Sequence, residues 1–184
     1  MGNKSLVAKR FRGCCPWLSG GNLALLGIGL AIFVTDQFTK SAVSSWLPYG
    51  GTRPVIEGFF SLVHVRNTGM AFSLFADAAP WFRETLLPAA QLLIIVGVAV
   101  IFRTVGEAAR LSRFALVLVL GGAAGNLCDR MLHGYVTDFL DFYVASYHWP
   151  AFNVADSAIT VGAALLLLEA LLGRHAAGET ARPA

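Results

Sequence analysis

Four apolar stretches follow one another along the chain, separated by more polar connections. They cover Leu23–Trp46, Leu86–Phe102, Phe114–Leu132 and Asn153–Leu172, which are 24, 17, 19 and 20 residues long. A helix needs roughly 17 to 25 residues to cross the hydrocarbon core of a bilayer. A membrane β-barrel needs alternating segments of about 10 residues, whereas Leu92–Val96 is apolar without alternation. The pattern predicts an all-α integral membrane protein with four transmembrane helices.

The long connection between the first two stretches, residues 47–85, has a pattern of its own. Apolar and polar residues alternate along Phe60–Arg66, a turn signal follows at Asn67–Gly69, and an apolar run then resumes. Such alternation is typical of a half-buried strand, so we predict a small β element over residues 59–75. The following segment, Ala76–Thr85, predicts a short interfacial helix that leads into the second span.

The composition agrees with a membrane protein. Hydrophobic residues make up 56% of the 184 residues and charged residues 14%, whereas soluble proteins average about 25% charged residues. Intrinsic disorder and nucleic-acid-binding modules require a polar or basic excess, so both classes are excluded. The basic N-terminus followed by an apolar stretch is also typical of a signal peptide. Asp36 and Lys40 interrupt this stretch, however, and we interpret it as a membrane helix.

Lys and Arg residues are distributed unevenly among the connections. The N-terminal segment, the connection Arg103–Arg113 and the tail carry nine, whereas connections 47–85 and 133–152 carry three. Cytoplasmic loops are enriched in these residues, so both termini are predicted to be cytoplasmic. The predicted organisation is a cytoplasmic segment 1–22, a single four-helix membrane domain 23–173 with a periplasmic loop 47–85, and a cytoplasmic tail 174–184.

The first span contains two ionisable residues, Asp36 and Lys40. A charge at the centre of a bilayer costs at least about 2.5–3.5 kcal/mol, so such residues are functional candidates. Their spacing of four places them on one helix face with the acid before the base. The pair either shapes a site or serves as a structural ion pair, and the structural interpretation is the simpler one.

The third span contains a glycine-rich run, residues 121–125, followed by Asn126, Asp129 and Arg130. Glycines allow a neighbouring helix to approach closely. The three polar residues indicate either a site beside this patch or a packing surface that ends in an Asp129–Arg130 pair. The spacing favours neither alternative.

Carboxylates collect at the predicted outer ends of the third and fourth spans. Asn153 lies three residues before Asp156, which is typical of a helix N-cap followed by an acid in the first turn. This arrangement fits a structural role for Asp156 as well as a catalytic one. Asp138 lies among apolar residues and is expected to be partly buried, whereas Asp141 is expected to be solvated and substitution there nearly silent.

Two neighbouring carboxylates suit the hydrolysis of an amide. Their mutual repulsion leaves one protonated and one ionised, which provides an acid and a base for attack by water. Asp129 is expected to be held ionised in an ion pair with Arg130 beside it, so the spacing favours Asp138 with Asp156. No serine-nucleophile or zinc motif is present, and we expect His64, His148 and His175 to be solvated.

Five segments resemble the signature segments of the bacterial lipoprotein signal peptidases (signal peptidase II), in the same order and with similar spacing. They are Asp36–Lys40, Asn67–Phe72, Gly121–Arg130, Val136–Phe139 and Phe152–Ser157. The resemblance implies an aspartyl endopeptidase of the inner membrane whose catalytic pair is Asp138 and Asp156. The matching positions that it implies shape the site and hold substrate are Asp36, Lys40, Asn67, Gly69, Asn126, Asp129, Arg130 and Asn153.

The same resemblance implies the substrate. Prolipoproteins that carry a diacylglyceryl group on a cysteine would be cleaved on the N-terminal side of that cysteine, with the active site at the outer leaflet. We expect contacts with membrane lipids, no nucleic-acid partner, no metal or other cofactor, and a monomer. The alternatives are a proton-coupled carrier or channel, which predicts acids spread through the membrane thickness, and a non-catalytic membrane scaffold.

Overall fold

The computed structural model describes residues 20–69 and 79–179, in which four long helices form a bundle. They are α1 (Gly20–Trp46), α2 (Leu87–Thr104), α3 (Arg110–His133) and α4 (Val154–Glu179). Each is long and apolar enough to cross a membrane, α2 together with the turn before it. The predicted four-helix membrane fold is therefore confirmed. Residues 1–19 lie outside the described part, and the predicted tail begins within α4.

The central helix of the bundle is α3. It packs against the other three helices, and 56% of its span is buried, compared with 11–17% of the other spans. A side chain at Gly122 would collide with the main-chain oxygen of Ala155 on α4, and one at Gly121 with that of Gly29 on α1. The glycine-rich run thus lets two neighbouring helices approach α3 closely.

The connections after α1 and after α3 form one antiparallel sheet. Its four strands, in spatial order, are β1 (Thr52–Ile56), β2 (Phe60–Asn67), β3 (Val136–Val144) and β4 (Tyr147–His148). The alternating segment forms β2 as predicted, and the part of the predicted β element from Met70 to Phe75 lies outside the described residues. Because β2 pairs with β3, the two connections meet at the same end of the bundle.

The sequence pattern did not predict β3. Its first four residues and Asp141 are buried, so both faces of the strand are covered near its start. A strand covered on both faces lacks the polar–apolar alternation that identifies a half-exposed strand.

The interfacial helix predicted over residues 76–85 is described only from residue 79. The chain is helical from Pro80 and passes through a π-helical turn, Phe82–Leu86, directly into α2. This part of the segment therefore forms the N-terminal end of the second span. A π-helical turn inside a helix often accompanies a functional site.

Two expectations of solvated side chains are wrong. His64 is only 5% exposed, and its Nδ1 lies 2.8 Å from the carbonyl oxygen of Leu47, which ties β2 to the end of α1. Asp141 is also buried and lies 2.9 Å from Nδ1 of the half-exposed His148. The side chain of His175 lies outside the described residues.

Candidate active site

The start of α4 holds Asp156 in place through a reciprocal cap. Asn153 is fully buried, and its Oδ1 accepts a hydrogen bond of 2.9 Å from the main-chain N–H of Asp156. In return, the N–H of Asn153 donates to Oδ2 of Asp156 at 3.2 Å. The Asn153 cap that the sequence indicated is therefore present, and it fixes the Asp156 carboxylate in the first turn of α4.

Asp138 reaches the same place from the start of β3. The Nδ2 of Asn67, at the end of β2, donates to its Oδ2 at 3.0 Å. The Nδ2 of Asn153 donates to its Oδ1 at 2.7 Å. One capping side chain thus contacts both Asp138 and Asp156, although the two acids are 18 positions apart in sequence.

Asp138 and Asp156 line one cavity of about 440 Å³, together with Asn67, Asn126 and Arg130. Asn126 on α3 donates from Nδ2 to Oδ1 of Asp156 at 2.7 Å. The hydrogen bonds that the two carboxylates receive from side chains of the described residues come from neutral amides. The cavity therefore presents two acids whose direct partners carry no charge.

The environment of Asp138 disfavours its ionised form. Burial is the main cause, followed by the negative charge of Asp156, and together they raise the pKa of Asp138 to about 7. Hydrogen bonds from Asn67 and Asn153 and the charge of Lys40 oppose this shift without cancelling it. A carboxyl group with such a pKa exchanges its proton near neutral pH, as an acid–base catalyst must.

A second group of carboxylates surrounds Lys40 deeper in the bundle. Its Nζ lies 2.7 Å from Oδ2 of Asp36 and 3.1 Å from Oδ2 of Asp129, and it donates to Oδ1 of Asn126 at 2.9 Å. The predicted Asp36–Lys40 pair is therefore formed. The expected pair between Asp129 and Arg130 is not, because Asp129 faces α1 and binds Lys40 instead.

Main-chain groups complete this buried ion cluster. Asp36 accepts the N–H of Ala155, in the first turn of α4, at 2.9 Å, and Asp129 accepts the N–H of Thr137 at 3.1 Å. A side chain at Gly125 would lie only 2.5 Å from Oδ2 of Asp36. The glycine thus leaves room for the carboxylate beside α3, where it also satisfies a donor at the N-terminus of α4.

Arg130 also lines the cavity. Its Nη2 donates to the carbonyl oxygen of Gly69 at 2.8 Å, and its Nη1 donates to Oε1 of Gln91 at 2.7 Å. The N–H of Gly69 in turn donates to Oδ1 of Asn67 at 3.0 Å. These contacts connect α2, α3 and the residues at and just after the end of β2.

All ten residues predicted from the sequence belong to this connected region, which also contains two glutamines without a predicted role. Gln37 donates to Oδ1 of Asp129 at 2.9 Å. Gln91 is the only polar residue between Leu87 and Phe102, which is a usable signal because polar residues inside spans commonly bond neighbouring helices. Within residues 20–69 and 79–179, no cluster of His, Cys, Asp or Glu has the geometry of a metal site.

A family model and individual relatives of known function indicate one and the same protein family. Residues 28–172 match the family model described as signal peptidase (SPase) II. The chain is 49% identical over 152 residues to the lipoprotein signal peptidase of Cupriavidus necator, covering 81% of this chain and 83% of that protein. It is 46% identical over 161 residues to the lipoprotein signal peptidase of Ralstonia nicotianae, covering 86% of each.

Solved structures share the fold. A bacterial membrane enzyme determined by the in meso method at 1.9 Å resolution superimposes with a TM-score of 0.73 and 28% identity, covering 80% of this chain and 92% of that one. A second such structure, at 2.3 Å, gives a TM-score of 0.75 and 25% identity, covering 88% and 94%.

Proposed function

The chain belongs to the signal peptidase II family of membrane peptidases, and we propose that it removes the signal peptide from prolipoproteins that carry diacylglyceryl-cysteine. Cleavage occurs on the N-terminal side of the lipidated cysteine. The enzyme acts as a monomer in the bacterial inner membrane, surrounded by lipid, and its catalytic residues are Asp138 and Asp156.

One observation carries this proposal: two acids from distant parts of the chain line one cavity and share the amide of Asn153. The raised pKa of Asp138, about 7, keeps a proton available to the pair near neutral pH. The ionised carboxylate accepts a proton from water as its oxygen attacks the scissile carbonyl carbon. The protonated carboxylate polarises the carbonyl oxygen, and a proton passes to the amine as the C–N bond breaks.

The remaining polar residues hold this arrangement and the substrate. Lys40 orients Asn126, which in turn orients Asp156. We assign substrate binding to Asn67 and Arg130, which line the cavity, and to Gly69, which contacts both. Their donors suit main-chain carbonyls and the developing negative charge of the intermediate.

The position of the acids fits a lipidated substrate. Asp156 is two residues from the start of α4 and Asp129 four residues from the end of α3, so both lie about one helical turn or less from the end of a span. Acyl chains stay in the bilayer because each buried CH₂ contributes about 0.8 kcal/mol. Cleavage at this depth leaves the lipid in place while water reaches the acids. The Lys and Arg distribution supports an orientation in which this end lies outside the cytoplasm.

The experiment is a cleavage assay with purified protein in detergent–lipid micelles. One prolipoprotein substrate carries diacylglyceryl-cysteine, and its matched control has the same sequence with free cysteine. We expect release of the signal peptide only from the lipidated substrate, and none with the Asp156→Asn variant prepared in parallel. Equal cleavage of both substrates, or cleavage at another bond, would overturn the substrate assignment.

A further inference from the structure

Arg130 is a cation in the wall of a cavity that contains two acids, yet it does not pair with them. Its hydrogen bonds to described residues end on neutral acceptors, the side-chain oxygen of Gln91 at 2.7 Å and the main-chain oxygen of Gly69 at 2.8 Å. Asp138 and Asp156 nevertheless lie within electrostatic reach of its guanidinium. A guanidinium normally prefers carboxylates as bidentate partners, so a specific contact must hold it elsewhere.

Gln91 is suited to this task because both ends of its amide are fixed. Its Nε2 donates to the carbonyl oxygen of Ala123 on α3 at 2.9 Å, so its Oε1 must face Arg130. The amide thereby bridges α2 to two points of α3, seven residues apart. No other polar side chain stands between Leu87 and Phe102, so the span offers no substitute acceptor.

We propose that Gln91 is a positioning residue that holds the Arg130 guanidinium on the Gly69 side of the cavity, away from Asp138 and Asp156. This inference rests on the proposed function of that site. Held there, the guanidinium remains available to the substrate and does not neutralise the catalytic acids.

Among the charged groups around the acids, Arg130 is the cation whose movement would change the pKa of Asp138. Lys40 on α1 faces Asp138 and lowers its pKa slightly, but it is already paired with Asp36 and Asp129. Asp156 on α4 acts in the opposite direction. A cation that moves to within about 4–6 Å of a carboxylate lowers its pKa by about 1–3 units. Release of Arg130 would therefore remove the proton of Asp138 at neutral pH.

The test compares the dependence of kcat/KM on pH for three variants on α2. In Gln91→Met the acceptor is lost, and we expect the decline at high pH to begin about one unit lower, with KM raised about tenfold because Arg130 no longer faces the substrate. Gln91→Glu restores an acceptor, so its decline should not move to lower pH. Leu93→Met, on the exposed face of α2, is the matched control and should behave like the wild type.

A double-mutant cycle separates positioning from a general loss of structure. In an Arg130→Gln background, Gln91→Met should cause no further change in the pH profile, because its effect passes through Arg130. An unchanged pH profile in a folded Gln91→Met variant, or the same shift in Gln91→Glu, would overturn the inference. If the wild type fails to cleave the lipidated substrate, the proposed function falls instead.

Discussion

The molecule contains two groups of carboxylates that differ in the presence of a paired cation. Asp36 and Asp129 share Lys40 at 2.7 and 3.1 Å. Asp138 and Asp156 receive their side-chain hydrogen bonds from asparagines. The first group is paired with a cation, whereas in the second the pKa of Asp138 is raised to about 7. The comparison teaches that burial alone does not define a catalytic acid, because the partner decides its charge.

Asn126 connects the two groups through hydrogen bonds, but it does not give them the same charge environment. Its oxygen accepts from Lys40 and its nitrogen donates to Asp156. An amide transmits orientation but carries no net charge, so Asn126 positions Asp156 without placing it in an ion pair with Lys40. Substitutions at Asp138 and Asp156 should therefore mainly reduce cleavage, whereas substitutions in the Lys40 group should mainly reduce stability.

The largest expected effect is on catalysis. Asp138→Asn and Asp156→Asn each remove a proposed proton-transfer group, and we expect cleavage to fall by at least about 10³-fold. The thermal unfolding temperature should not fall, because neither substitution removes a charge pair. The control is Glu57→Gln, in the exposed turn between β1 and β2. Wild-type cleavage by either asparagine variant would contradict the assignment of that residue.

The largest expected effect on stability belongs to the other group. Lys40→Met leaves Asp36 and Asp129 without their cation, and breaking a buried pair in this way costs about 3–5 kcal/mol. Denaturant unfolding in micelles measures the loss. Phe38→Met is the matched control, because Phe38 lies on α1 and is 71% exposed. Equal unfolding free energies for the two variants would show that the cluster does not stabilise the bundle.

The pH dependence sharpens the comparison further. Since the pKa of Asp138 is raised from 3.8 to about 7, kcat/KM should fall about tenfold per pH unit above 7 as the proton of the pair is lost. The neutral acid also favours folding: this contribution is complete below pH 4 and is lost as the pH rises to 7. Asp138→Asn should abolish that part of the pH dependence of stability. A decline that begins only above pH 9 would contradict the shared proton.

The smallest effect is expected at Asp141, a buried carboxylate outside both groups. Its partner His148 is half exposed, so the pair is screened by water. Asp141→Asn should cost about 1 kcal/mol of unfolding free energy and leave cleavage within about twofold. A loss of cleavage comparable to that of Asp138→Asn would mean that the catalytic carboxylate of β3 had been wrongly identified.

Local patterns predicted much of this molecule. The lengths of the apolar stretches predicted the spans, and the three-residue spacing of Asn153 and Asp156 predicted the cap of α4. The four-residue spacing of Asp36 and Lys40 predicted their ion pair. Each of these features depends on neighbours within one helical turn, where spacing determines contact.

Contacts between distant segments were harder to predict. Asp129 is next to Arg130 in sequence, but the two side chains have partners on different helices. Asp129 binds Lys40 on α1, and Arg130 binds Gln91 on α2. β3 was not predicted because both of its faces are covered near its start, so its sequence lacks polar–apolar alternation. His64 was mistaken for a loop residue because its acceptor, the carbonyl of Leu47, is a main-chain group without a sequence signal.

The cap of α4 also sets the order in which the enzyme becomes complete during synthesis. Asn153 and Asp156 belong to the last span, whereas their partners Asn126 and Asp138 emerge from the ribosome earlier. A nascent chain with three inserted spans has one of the two acids and lacks the amide that holds it. With Asp138 and Asp156 as the proposed catalytic pair, proteolytic activity therefore requires that the fourth span has been synthesised.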